Sequence, residues 1–209
     1  MKPLKTAFVL HVRALNFGYP NHVLFSNFDA SIAPGITLVR GGDGRGKSTL
    51  LGLMAGELPA QSGQLDINGI ALATHSANYK AQIFWAEPRT DAFDQLTALD
   101  YFELQRRSYA DFDAALLADM THGLGIREHL HKQLFMLSTG TKRKVFLAAA
   151  FASGAAITLL DEPFAALDAA SIAYLLSQLE SLGSHRAWVL ADYVAPSGLV
   201  LLQTIDLGE

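Results

Sequence analysis

Nine consecutive residues, Gly41-Gly42-Asp43-Gly44-Arg45-Gly46-Lys47-Ser48-Thr49, constrain this chain more than any other stretch. They fit the pattern GxxxxGK[ST]. Ile36 to Val39 before them reads as a short buried strand, and Leu50 to Ala55 after them continues as an apolar helix. A strand, a glycine-rich turn and a helix in that order make a cradle for phosphate. The glycines let the backbone turn tightly and bring its N–H groups onto phosphate oxygens, while the helix aims its positive end at the same anion. In such a cradle Lys47 reaches the β- and γ-phosphates and the Ser48 hydroxyl holds Mg²⁺. A Gly-rich turn with no ligand is the competing reading, and the flanking strand and helix weigh against it.

The 209 residues, half of them hydrophobic, suffice to bury one domain-sized core. A net charge of −4 with 16 lysines and arginines gives no electrostatic footprint for nucleic acid. Cysteine is absent, which excludes disulfides and thiolate metal sites. Ala7 to Leu10 is too short for a signal-peptide core. Val145 to Leu160, broken by Ser153-Gly154, falls short of the roughly 20 apolar residues that span a bilayer. It reads instead as a buried helix, a turn and a buried strand. The expectation is a cytoplasmic protein whose membrane role comes through a partner.

In order, Phe8 to Phe17 alternates as a strand and Phe17-Gly18-Tyr19-Pro20-Asn21 breaks it as a turn. Val23 to Phe25 and Phe28 to Ile32 follow as short strands around Asn27, an antiparallel patch feeding the strand before the loop. Two readings are open for Tyr19: an aromatic platform for an adenine ring, or a turn tyrosine capping a core edge. Gly63 to Gly69 reads as a strand closing in a turn, and Ile83 to Trp85 as a buried strand. From Thr97 the period becomes helical. Thr97 caps a helix to about Ser108, Asp111 a second to Met120, and Ser138 a third to about Ala152. The strand Ile157 to Leu160 ends in Asp161-Glu162-Pro163, and Asp168 caps a helix to about Leu182. Ala187 to Leu190 and Leu199 to Gln203 read as the last strands.

Two carboxylates at the carboxyl end of a buried strand are costly without a task there. Beside a phosphate cradle, the natural tasks are Mg²⁺ for Asp161 and water activation for Glu162. Lys142-Arg143-Lys144 reads as a solvated face, and His122, His129 and His131 as surface residues, not metal ligands.

Tyr19, the loop Gly41 to Thr49, Leu137-Ser138-Thr139-Gly140-Thr141, Asp161-Glu162-Pro163 and Ala166-Leu167-Asp168, in that order, resemble the ATP-binding-cassette ATPases. Within that family, Leu96 to Asp100 and Leu160 to Asp168 are similar to the ATP-binding subunit of the haem exporter of cytochrome c maturation. The resemblance implies an α/β P-loop NTPase fold with a mixed central sheet, an antiparallel β patch and a helical subdomain at about 88–152, all in one domain over 1–209. It implies a homodimer or heterodimer that closes head to tail on two ATP molecules, with Ser138 and Gly140 meeting the γ-phosphate held by the partner's loop, and Asp168 linking across the dimer. It also implies a transmembrane permease as partner and a place on the cytoplasmic face of the membrane. Glu162 would be the general base, and Asp161 with Ser48 the Mg²⁺ residues.

The sequence departs from the family pattern in three places. Where the family carries a glutamine contacting Mg²⁺ and the attacking water, this chain has Glu87, with Gln82 upstream. Where the family carries a histidine donating to the γ-phosphate, it has Asp192, followed by Tyr193; His185 precedes the strand. Thr139 and Thr141 stand where glycine and glutamine are usual. These changes set the expectation of firm ATP binding and slowed hydrolysis, with a regulatory cassette that scarcely turns over as the alternative. A kinase or GTPase would share the cradle, yet no NKxD guanine reader is present.

Overall fold

The computed structural model describes residues 9–86, 90–183 and 186–208. β1 (Leu10–Tyr19), β2 (His22–Ile32), β4 (Ser62–Ile67) and β5 (Ile70–Ala71) form an antiparallel sheet in the order β2-β1-β4-β5. β3 (Gly35–Arg40), β6 (Ile83–Ala86), β7 (Ile157–Asp161), β8 (Ala187–Asp192) and β9 (Gln203–Asp206) form a second sheet, ordered β6-β7-β8-β3-β9 and parallel throughout.

Apart from Thr37, Thr158 and the terminal Asp161, the buried residues within the parallel strands are apolar on both faces, as helices or sheets covering each face require. Successive residues point to opposite sides. Val39, Leu159 and Val189 face a core shared with β1 and with α1 (Lys47–Met54), the helix between the two sheets. Leu38, Leu160 and Leu190 face the other core, built with α3 (Ala98–Ser108), α4 (Ala114–Gly123), α5 (Thr139–Ala152) and α6 (Ala169–Leu182). The short α2 (Ser76–Lys80) precedes β6. Between β6 and β7 the regular elements among the described residues are all helical: α3, α4, single 3₁₀ turns at Arg127–His129 and Leu134–Met136, and α5.

From Val145 to its end α5 is buried on every side, consistent with its unbroken apolar run. No helix among the described residues is long and apolar enough to cross a membrane.

The expected caps at Thr97, Ser138 and Asp168 stand at α3, α5 and α6. Four expectations need correction. The turn expected from Phe17 begins only after Tyr19, because Phe17, Gly18 and Tyr19 still pair with β2. The cap of α4 is Asp113, not Asp111: Asp113 Oδ1 accepts from Leu116 N at 2.9 Å, while its own N–H is held by Ala152 O at 2.8 Å. Asn27 does not break β2. It takes a left-handed φ of 51° and donates from its N–H to Asn16 Oδ1 at 2.9 Å, absorbing a register shift against β1 inside one strand. The last strand is Gln203–Asp206, because pairing with β3 starts at Thr37 opposite Gln203; Leu199 instead closes a turn onto Pro196 O.

Leu159 is fully buried and Val200 is 73% exposed, so Leu159→Ala should cost roughly 2–5 kcal/mol in denaturant unfolding. Val200→Ala should stay within about 0.5 kcal/mol.

Candidate functional site

Parallel register brings the chemistry to one edge. Arg40, the last residue of β3, lies opposite Asp192, and Asp161 lies opposite Ala191. The glycine-rich loop leaving β3, Asp192 ending β8 and Asp161-Glu162 ending β7 therefore follow one another along the carboxyl edge of the sheet. That edge is where open α/β sheets bind ligands. The resemblance puts Asp192 at the phosphate, and the strand order shows that it sits between the loop and the Asp161-Glu162 pair.

The loop is built for an anion. Gly44 and Gly46 take left-handed φ values of 74° and 92°, and a Cβ on Gly46 would come within 3.2 Å of the Leu24 and Phe25 side chains. Gly46 caps α1 with no side chain, which leaves the first-turn N–H groups available to a ligand. Lys47 is nearly buried, and its ammonium donates to Gly41 O at 2.7 Å and Gly42 O at 3.1 Å, inside the loop's own curve. Asp43, Gly44, Arg45 and Ser48 are exposed.

Residues from the end of the chain brace the loop from below. Asp206 pairs with Arg40 at 2.6 Å, Leu207 N donates to Arg40 O at 2.9 Å, and Gly42 N donates to Gly208 O at 3.0 Å. Sequence reasoning missed this brace, which only the β3–β9 pairing reveals. Tyr19 stands beside the loop helix. Its hydroxyl lies 3.3 Å from Thr49 Oγ1, and its half-exposed ring meets Phe17 edge-on at 5.2 Å.

The carboxylates differ in setting. Asp161 is buried at the strand end. Glu162 is half-buried and sits at φ 45°, a left-handed backbone uncommon outside glycine, with its N–H held by Ala191 O at 2.8 Å. Burial raises the Asp192 carboxyl above the ordinary carboxylate range, and the Glu162 charge pushes the same way. The Tyr193 N–H, 2.7 Å from Asp192 Oδ1, and the Lys47 cation oppose the rise. Lys47, Glu162 and Asp192 thus form one electrostatic cluster.

Ser138 and Gly140 lie elsewhere, at the start of α5. Ser138 Oγ accepts from Thr141 N at 3.1 Å. The close backbone approach falls at Gly140, where a Cβ would meet Ala166 O at 2.5 Å, whereas Thr139 is exposed. The basic run that follows is no solvated face. Lys142 pairs with Asp94, Arg143 donates to the carbonyls of Glu162 and Ala165, and Lys144 pairs with Asp168 at 2.6 Å.

Asp168 also caps α6 through Ser171 N at 2.8 Å. Its carboxylate is therefore engaged within its own chain, held well below the usual range by Lys144 and by the Ser171 donors. Gln82, before β6 and so at its far end from the carboxyl edge, donates to and accepts from asparagines there, Asn78 O at 3.4 Å and Asn68 Nδ2 at 2.8 Å. It cannot take the role expected of Glu87. Glu87 and His185 lie outside the described residues. No group of three or more His, Cys, Asp or Glu among the described residues is arranged to hold a metal ion, and His129 instead contacts Lys132 and Glu128.

Residues 25–165 match the family profile of the ABC transporter. The chain belongs to the ABC transporter family, as an ATP-binding ATPase. A cytochrome c biogenesis ATP-binding export protein CcmA of Idiomarina loihiensis is 34% identical over 170 residues, spanning 80% of this chain and 77% of the relative. The protein of the same name from Saccharophagus degradans is 29% identical over 209 residues, spanning 95% of this chain and 92% of its own. A solved ATP-binding subunit of an ABC transporter shares the fold of this cassette, with a TM-score of 0.82 at 23% identity over 89% of this chain and 80% of that one.

The raised Asp192 carboxyl implies a pH-dependent stability in this cassette. A folded-state value above the unfolded one stabilises below the unfolded value of 3.8, and that contribution is lost as pH rises through the folded value. At pH 7 the ionised group is a net cost to the fold. Asp192→Asn should therefore raise Tm at pH 7, with the gain shrinking toward zero below about pH 4.

Proposed function

We propose that this ABC ATPase binds Mg²⁺-ATP at the carboxyl edge of its parallel sheet and hydrolyses it to drive a transmembrane export partner. The observation that carries the reading is the convergence of the loop lysine, Lys47, with Glu162 and Asp192 at the ends of three neighbouring strands. In this reading the amides of Gly44 to Thr49 and the Lys47 ammonium neutralise the phosphates, and Gly41, Gly42, Asp43 and Arg45 shape the loop around them. Tyr19 serves as the adenine platform. Glu162, half-buried at the carboxyl edge, is the general base that orients water and takes its proton.

The donor set fits Mg²⁺. That ion prefers oxygen ligands and usually takes only one or two from protein, the rest from phosphate and water. Ser48 offers an exposed hydroxyl in the first turn of α1 and Asp161 a buried carboxylate across the edge. When bound, the ion neutralises charge on the phosphate oxygens. Glu87 completes this set in the proposal, although it lies outside the described residues.

Two cassettes, alike or different, close head to tail, so that Ser138 and Gly140 of one meet the γ-phosphate bound by the other. The 88–152 segment, within a single domain over 1–209, faces the membrane partner from the cytoplasmic side. The names of the relatives favour export in cytochrome c biogenesis as the process served. A second reading is a regulatory cassette with little turnover. The carboxylate Asp192 favours it, because an ionised carboxylate accepts hydrogen bonds and donates none to a phosphate.

Phosphate release from Mg²⁺-ATP by the purified chain decides between them. Under the first reading Glu162→Gln should lower the rate by about 10²–10⁴-fold with ATP still bound, as loss of a general base does. Lys47→Ala should abolish binding, and Asp192→His should speed release. Bound ATP with no release by the wild-type chain would leave the regulatory reading.

A further inference from the structure

Glu162 and Ala166 are both non-glycine residues with left-handed backbones, at φ 45° and 60°, and they bracket the turn that follows β7. Such conformations persist only where surrounding structure imposes them. One restraint comes from the sheet, through Glu162 N to Ala191 O at 2.8 Å. The turn adds Ala165 N to Glu162 O at 3.1 Å, and the side-chain restraints come from a single helix. Arg143, nearly buried on α5, donates from Nη1 to Glu162 O at 3.1 Å and to Ala165 O. One turn earlier Gly140 lies against Ala166 O so closely that a Cβ would stand 2.5 Å from it. One residue later Lys144 pairs with Asp168 at 2.6 Å. The turn from Glu162 to Asp168 is therefore mounted on the first half of α5, the helix whose start carries Ser138 and Gly140.

We infer that Arg143 is a positioning residue for Glu162, fixing the base to α5 so that engagement of the α5 N-terminus by a nucleotide in the neighbouring site resets the base in this one. A nearly buried guanidinium needs carbonyl or carboxylate partners, so Arg143 is held to this turn by its own burial. Arginine suits the task, since its donors sit in a rigid planar fork and its charge persists at any working pH. The clamp itself rests on geometry within one chain. The transmission between sites rests on the dimer reading proposed above.

The test uses the full chain with Arg143→Met, which keeps an apolar stem and removes the donors, and Arg143→Lys, which keeps a donor. Without nucleotide, amide hydrogen exchange at 162–167 should accelerate at least tenfold in Arg143→Met, with β3 and α1 unchanged. The kcat for ATP should fall about 10–100-fold, the effect of a small displacement of a catalytic group, while affinity for a fluorescent ATP analogue stays within twofold. Arg143→Lys should recover most of the rate.

With Mg²⁺-ATP in a Glu162→Gln background, exchange at 162–167 should slow, and Arg143→Met should abolish that slowing while protection at 42–49 persists. Unchanged exchange at 162–167 in the nucleotide-free Met variant would overturn the clamp. So would a rate loss matched by equal losses of affinity and Tm that lysine does not rescue. If the wild-type chain neither binds nor hydrolyses ATP, the functional reading fails, and the nucleotide-free exchange still decides the clamp.

Discussion

The six-residue parallel pairing of β3 with β8, from Gly35 opposite Ala187 to Arg40 opposite Asp192, sets where every other part of the site can stand. It brings the β3 and β8 ends level, and β7 continues the alignment with Asp161 opposite Ala191. Side chains alternate along a strand, so a slip of one residue would turn Leu190 out of one core and Val189 out of the other. Packing on both faces thus locks the register, and the register locks the distance from the loop to Glu162.

Local order around the loop depends on the same sheet. β9 adds to the far side of β3, and its last residue, Asp206, closes on the loop together with Leu207 and Gly208 after it. The other flank is held by α5, whose basic residues reach the Asp94 segment, the turn after β7 and the start of α6. The far end of α5 is tied as well: Arg186 donates to Ala150 O at 2.9 Å and Phe151 O at 2.8 Å while its guanidinium stacks on Trp188. A cation at these terminal carbonyls complements the helix dipole. Both ends of one helix are therefore tied to segments that flank β7 and β8.

Much of this was legible in the residues. The loop pattern, its flanking strand and helix, and the caps at Thr97, Ser138 and Asp168 each carry a local mechanism, and local mechanisms survive folding unchanged. What the residues hid depends on pairing across long separations. Arg143 reads as one of three surface cations until the turn after β7 comes to lie on its helix. Asp192 reads as a missing histidine at the phosphate, and the structure adds its burial and the opposing fields of Glu162 and Lys47. Asp111 reads as the cap of α4, whereas the Ala152 carbonyl, far along the chain, holds the Asp113 N–H and the cap falls at Asp113. The apolar Leu199 to Leu202 imitates a strand, whereas the real edge strand, Gln203–Asp206, pairs through its backbone with β3.

The most direct test is a crystal structure of the Glu162→Gln chain with Mg²⁺-ATP. The account predicts the triphosphate across the amides of Gly44 to Thr49, the Lys47 ammonium moved from the Gly41 and Gly42 carbonyls onto phosphate oxygens, and residue 162 still left-handed against Arg143. A nucleotide bound away from this loop, or one bound there with Lys47 still on those carbonyls, would contradict it.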